Sequence, residues 1–241
     1  MIILALDASA SPASAALVKD GQLIGEYFIN IKCTHSQTLM PLVENLLATT
    51  ETDKNTIDVF AVNVGPGSFT GVRIGVSAVK GMAMALNKPC AAVSTLEAMA
   101  QTALMFDGIV CAVMDARCSQ VYNALFEIKN GTAVRLTEDR ALSIGELKNE
   151  LEQNYADRKI MVMGDGTDVV MRTYDVCPNN IIAAPMNIRF QHASGTAFAA
   201  EKKAEKNDLT TAAALMPTYL RLPQAQRELL KKQEAEKQKE N

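Results

Sequence analysis

The chain has 241 residues, 48% of them hydrophobic and 21% charged, with 24 basic against 27 acidic side chains. That is a globular balance with room for a sizeable core; a net charge of −3, 5% aromatics and no Trp argue against a stand-alone nucleic-acid binder, which carries a basic footprint or stacking platforms. A mean hydropathy of +0.02 and no apolar run near the roughly 20 residues of a membrane span exclude a membrane bundle, and the short apolar start before Asp7 reads as a buried strand rather than a leader, so a cytoplasmic location is expected.

The first elements are three strands, over 2–7, 13–19 and 23–31, the last two joined by the hairpin turn Asp20-Gly21. A helix then begins near residues 36–38. Its Leu39, Leu42, Val43, Leu46 and Leu47 share one face, and Pro41 falls early enough to be tolerated. A strand over 57–64, a glycine-rich loop over 65–71 and a helix to residue 86 follow. A short strand over 90–93 leads to Ser94 and Glu97, whose spacing predicts a capping box and a helix to residue 106.

The second half repeats this opening. An apolar strand over 109–114 ends in Asp115-Ala116 as the first ends in Asp7-Ala8. A strand over 121–128, the turn Asn130-Gly131 and a strand near 134–137 complete the unit. From aspartate to hairpin glycine the spacing is 14 residues in one copy and 16 in the other, which points to a duplicated β-β-β element against a null of two unrelated hairpins. A helix capped by Ser143 and Glu146, a strand over 160–163, the turn Gly164-Asp165-Gly166, a helix over 168–174, a strand over 181–184 and an Ala-rich helix from 194 come next. Pro217-Thr218-Tyr219-Leu220-Arg221 reads as an isolated extended segment. Nine of the fifteen residues from Arg227 to Asn241 are charged, so that stretch buries little and is expected as a frayed helix or disorder.

The loop Gly65-Pro66-Gly67-Ser68-Phe69-Thr70-Gly71 enters a helix N-terminus, where free N–H groups and the dipole favour an anion. A phosphate contact and a tight strand-to-helix connection are equally consistent with it. Gly65, Gly67, Ser68 and Thr70, with Asp7, Asp115, Gly164 and Gly166, form a candidate vestigial phosphate site. Walker A, the dinucleotide fingerprint and the nucleophile elbow all fail to match. Asp7 and Asp115 could serve a metal–nucleotide or act as a base, but turn-forming aspartates accepting backbone N–H groups are favoured. Along the following helix Gly71, Gly75, Ala78 and Ala85 share a face, with Gly81 nearby; glycine inside a helix costs about 1 kcal/mol, so close approach of another helix or backbone is implied. The five cysteines form no C-x-x-C, and His35 and His192 are 157 residues apart, so neither a disulfide framework nor a metal-ligand cluster is expected. No catalytic set emerges.

Leu4-Ala5-Leu6-Asp7-Ala8-Ser9, His35-Ser36, Gly65 to Gly71 with Val72-Arg73-Ile74-Gly75, Asp115-Ala116-Arg117 and Pro217 to Arg221, in that order, closely resemble the bacterial TsaB (YeaZ) family over residues 1–223. The resemblance implies an α/β, actin/sugar-kinase/Hsp70-like fold of two lobes, each starting with a β-β-β unit: 1–106 and 107–222, with a charged tail at 223–241. It implies a non-catalytic partner of the transferase TsaD in tRNA threonylcarbamoyladenosine synthesis, working with the ATPase TsaE, forming a homodimer without TsaD and meeting tRNA only through the complex. TsaD's H-x-x-x-H metal motif is missing here. The interface residues implied are His35, Leu39, Leu42, Val43, Leu46, Gly71, Arg73, Gly75, Ala78 and Met82. No metal and no cofactor are expected on the chain alone, with ATP or ADP at a complex interface. The alternatives are a stand-alone ATP-dependent phospho- or carbamoyltransferase and a glycoprotease-like hydrolase. Ala8 stands where the family often has Thr, which weakens a phosphate role for that turn.

Overall fold

A computed structural model describes residues 1–174 and 176–221; the tail expected at 223–241 lies outside them. The opening strands β1 (Ile2–Asp7), β2 (Ala13–Lys19) and β3 (Gln22–Ile29) form an antiparallel meander. Helix α1 (His35–Thr49) follows, and then β4 (Val59–Gly65) pairs parallel to β1. Helix α2 (Phe69–Leu86) and β5 (Cys90–Ser94), parallel to β4, complete a sheet of order β3-β2-β1-β4-β5.

Helix α3 (Thr95–Thr102) leads to the second sheet: β6 (Gly108–Arg117), β7 (Gln120–Lys129), β8 (Thr132–Arg135), β9 (Arg140–Ser143), helix α4 (Ile144–Asn154), β10 (Ile160–Met163), helix α5 (Thr167–Met171) and β11 (Ile181–Ala183). Its order is β11-β10-β6-β7-β8, with β9 also on β7. Read from the meander outward, the two sheets have the same order and the same pattern of antiparallel and parallel neighbours. The repeated unit seen in the sequence is therefore a repeated lobe.

β1 is apolar throughout because both faces are covered. Leu4 and Leu6 pack under α1 and α2 with Leu39, Leu46, Phe60 and Val76, while Ile3 and Ala5 face the opposite layer with Val59 and Ala61. That layer includes α6 (Ala193–Glu205), whose Ala197, Ala199 and Ala200 pack on the first sheet. Beyond α3 lies the second sheet, and beyond that α4 and α5 bury Leu147, Leu151 and Val170 against it. A Cβ at Gly195 of α6 would sit 2.2 Å from the Ala98 carbonyl oxygen of α3, so these helices approach backbone to backbone. The chain thus returns to the first lobe after residue 192, although it has just left the second sheet.

Glu26 of β3 anchors this return. Its carboxylate accepts from the Ser194 N–H (2.9 Å), the Ser194 hydroxyl (3.1 Å) and His192 Nδ1 (3.2 Å), placing negative charge at the start of α6. Burial pushes the Glu26 carboxyl up, but these bonds outweigh it and hold the group below its ordinary range.

Several boundaries differ from the sequence reading. The helix expected to reach residue 106 ends at Thr102, and β9 was not anticipated. Ser94 accepts from the Glu97 N–H (3.2 Å), but its hydroxyl donates to Asp139 (2.5 Å) rather than completing a box; the full capping box is at Ser143 and Glu146. Helix α2 does reach 18 residues at a mean hydropathy of 1.2, enough by length and composition to cross a membrane, contrary to the expectation that no stretch approached this. Alanine, valine and methionine raise that value; the helix packs on the first sheet, and Lys80 on it donates to the Ala213 and Leu215 carbonyls.

Leu39, Leu42, Val43 and Leu46 point into the first-lobe core and are at most 8% exposed. The apolar face of α1 is therefore not an outward interface, which corrects the assignment drawn from periodicity. Leu46→Ala should lower the stability of the isolated chain by about 3 kcal/mol through lost burial and the cavity left behind. Urea denaturation reads this directly; an unchanged midpoint would contradict the core placement.

Candidate functional site

Each lobe builds its site edge from the same parts. At the end of β1 the Asp7 carboxylate accepts the Ser9 N–H (3.0 Å), and at the corresponding point of β6 Asp115 accepts the Arg117 N–H (2.7 Å). Both aspartates thus close local turns two residues on. Against these strand ends lie the loops that follow the parallel neighbours β4 and β10. A Cβ at Gly71 would lie 1.9 Å from the Ala8 carbonyl oxygen, and one at Gly164 would lie 1.9 Å from that of Val113. Gly164 also has φ +110°, so its glycine is required twice.

Between the two edges lies a cavity of about 620 Å³, lined on one side by Ser9, Ser11 and Gly67 to Thr70, and on the other by Met114 to Arg117, Tyr122 and Asp165. The structure brings Gly67, Ser68, Thr70 and Asp115 of the expected phosphate site to this cleft. Gly65, Gly164 and Gly166 shape its walls from behind, and Asp7 is fully buried. Burial raises the Asp7 carboxyl above its ordinary range despite its bonds, and Oδ2 finds no partner.

The loop has already spent part of its donor set. Ser68 N–H donates to the Ser9 carbonyl (2.7 Å), and the Ser68 hydroxyl accepts from the Gly71 N–H (3.3 Å) as the α2 N-cap. Facing it, Asp165 is pushed up to about 6 by burial, opposed by a bond from Gln191 Nε2 (3.2 Å) and reinforced by the nearby Asp115 charge. Two carboxyl groups and one guanidinium, Arg117, therefore share the far wall. Arg117, Cys118 and Ser119 all have positive φ (62°, 53° and 55°), so this rim is a left-handed turn without glycine. Asp165, Arg117 and Tyr122 were not expected as cleft residues. The Gly-Asp-Gly turn was the available signal for the first, and Asp-Ala-Arg for the second.

The other expected residues lie on α1 and α2. His35 opens α1, with Nε2 at 2.7 Å from the Ala10 carbonyl oxygen. Gly71 and Gly75 are buried and face Ala8 and Val62 of their own lobe, so they correct the outward placement expected for them. Ala78 and Met82 are half-buried, and Arg73 is exposed with Nε donating to the Tyr219 hydroxyl (2.7 Å). The opposite side of α2 is more open: Thr70, Ser77, Gly81 and Ala85 are exposed at helical spacing, with half-buried Ile74 and Ala78 beside them. A Cβ at Gly81 would meet nothing within 4 Å.

The family model described as TsaD, tRNA N6-adenosine threonylcarbamoyltransferase, matches residues 23–238. The tRNA threonylcarbamoyladenosine biosynthesis protein TsaB of Bacillus subtilis is 32% identical over 97% of this chain and 100% of its own length. The Escherichia coli protein of the same description is 35% identical over 67% of this chain and 71% of its own. The crystal structure of YeaZ from Pseudomonas aeruginosa superposes with a TM-score of 0.76 at 28% identity, covering 91% of this chain and 99% of that one. Two lobes of one strand order, facing across a cleft, are the actin/sugar-kinase/Hsp70-like arrangement, and with it and these relatives the chain belongs to the TsaB (YeaZ) family.

Proposed function

We propose that the chain serves tRNA threonylcarbamoyladenosine biosynthesis as a non-catalytic subunit that docks the TsaD transferase through the outer side of α2. The observation that carries this reading is the exposed stripe Ser77, Gly81 and Ala85, with half-buried Ile74 and Ala78 beside it. It is small and largely apolar, and it lies on a helix whose other side is locked into the first-lobe core. Small side chains let a partner helix come close and gain dispersion contacts along its length. Two copies could pair through the same stripe when TsaD is absent, TsaE would join the assembled pair, and tRNA would be held by the complex. The relatives' names supply the pathway.

The stand-alone phosphotransferase reading is weaker on the chemistry of the cleft. Asp115 and Asp165 stand where a triphosphate would lie opposite the loop, and the loop has committed its Ser68 and Gly71 donors internally. Any ATP or ADP would then sit where a partner adds cationic groups, at the complex interface.

Gly81→Trp tests the docking face. The side chain has open space on this chain, so the urea midpoint should stay within about 0.5 kcal/mol of wild type. Affinity for TsaD, measured by titration calorimetry, should drop at least tenfold; unchanged affinity would remove α2 from the interface. Gly75 is the wrong probe, since a Cβ there meets Val62 Cγ2 at 3.2 Å inside the lobe. Tight Mg-ATP binding or turnover by the chain alone would restore the enzyme reading.

The cleft also has a pH signature. Burial pushes Asp165 up to about 6, above the 3.8 of an ordinary aspartate, so the folded state binds the proton more tightly. Its contribution to stability is full below about pH 4 and is lost as pH rises through 6. Asp165→Asn keeps the acceptor for Gln191 and removes the charge. It should stabilise the protein at pH 7.5 by up to about 3 kcal/mol, with the gain vanishing towards pH 4. A gain independent of pH would contradict the assignment.

A further inference from the structure

The segment after α6 ends in five residues that bind both lobes in succession. Its first part belongs to the first lobe. Thr218 N–H donates to the Val64 carbonyl at the end of β4 (2.7 Å), and the Tyr219 ring stacks on Phe69 at the start of α2, with centroids 4.7 Å apart and planes at 20°. The Tyr219 hydroxyl accepts from Arg73 Nε (2.7 Å), one turn further along the same helix. The next two residues belong to the second lobe. Leu220 packs on the cluster of Met114, Tyr122 and Phe126, and Arg221 Nη1 donates to the Ala116 carbonyl oxygen (2.8 Å) on the rim of the cleft.

The segment is short and stiff. Pro217 fixes its own φ, and the span from Thr218 to Arg221 is at most about 10 Å when extended, leaving little slack. The rim residue that it holds, Ala116, lies between Asp115 and the three positive-φ residues Arg117, Cys118 and Ser119. That turn is costly on its own and persists only where its surroundings fix it. The Arg221 contact is one such restraint. On the other side, Arg73 is an exposed cation at the margin of the open stripe on α2, bonded to the same five residues.

We propose that Pro217–Arg221 is an interlobe clasp that couples the outer side of α2 to the width of the cleft. A partner on α2 that offers a carboxylate to Arg73 draws it from Tyr219, and the loosened segment frees the Ala116 rim. Conversely, a cleft held closed keeps Arg73 on Tyr219, as reciprocal linkage between two sites requires. This rests on α2 being the docking helix, but the link itself is a property of the chain alone.

The test uses the full chain without a partner, so that failure of TsaD binding and failure of the clasp are separate results. Spin labels at Cys118 and at Ser11→Cys, in a Cys33→Ser, Cys177→Ser background, lie on opposite sides of the cleft; Cys90 and Cys111 are buried. Unfolding midpoints of every variant establish that each is folded. Pulsed electron–electron distance measurement should give a single narrow population for the parent and a longer, broader one for Arg221→Ala. Tyr219→Phe, which keeps the stack and loses the acceptor, and Arg73→Gln should shift at least a fifth of the population the same way. Gly81→Trp, on α2 but away from the clasp, should not. An unchanged distribution in Arg221→Ala overturns the clasp. A change in Arg221→Ala with none in Tyr219→Phe and Arg73→Gln overturns the coupling to α2.

Discussion

The architecture depends on one repeated constraint: a backbone carbonyl at the end of the first strand of each lobe is covered by a glycine just beyond its parallel neighbour. Gly71 lies on the Ala8 carbonyl and Gly164 on that of Val113, each with no room for a Cβ. The contact seats the first turn of α2 on the end of β1, and the turn between β10 and α5 on β6. It also sets the two loop edges that face each other across the cleft. A side chain at either glycine would push the loop off the strand end and displace the helix that follows.

The same economy explains the poverty of the cleft as an anion site. A helix N-terminus has free N–H groups to offer, but here the Ser68 amide is held by Ser9 and the Gly71 amide by the Ser68 side chain. Asp7 and Asp115, the acidic groups best placed by sequence to serve a nucleotide, each spend a carboxylate oxygen on a turn. Asp165 then adds an acid to the far wall, pushed up to about 6 by burial. The two walls of the cleft thus meet an anion with few free donors and with acidic side chains.

Much of this was legible from local pattern. Hairpin glycines, the apolar strands β1, β6 and β10, the capping box at Ser143 and the duplicated aspartate turns all depend on residues close in sequence, where period and turn chemistry are informative. What could not be read were choices between distant alternatives. β9 is a four-residue strand that exists because β7 offers it a pairing edge. Helix α6 follows the second sheet yet packs on the first, because Glu26, on β3, accepts from its first turn and Gly195 leaves room for the Ala98 carbonyl. Tyr219 and Arg221 stood out only as an extended segment, and their importance lies in contacts with residues more than 100 positions away.

The helix α2 shows why small residues alone do not place an interface. Its small residues run almost around the whole circumference: Gly71 and Gly75 on the inner side, Gly81 and Ala85 on the outer. Small residues on a helix report that something approaches closely, without saying whether it is the chain's own strand end or another molecule. Burial resolves the ambiguity by assigning the inner glycines to the Ala8 and Val62 contacts. The outer residues are left without an intramolecular reason for being small, and a helix of mean hydropathy 1.2 with one side uncovered exposes apolar surface at a cost in water. That unpaid cost, rather than the glycine count, is the physical argument for a partner on α2.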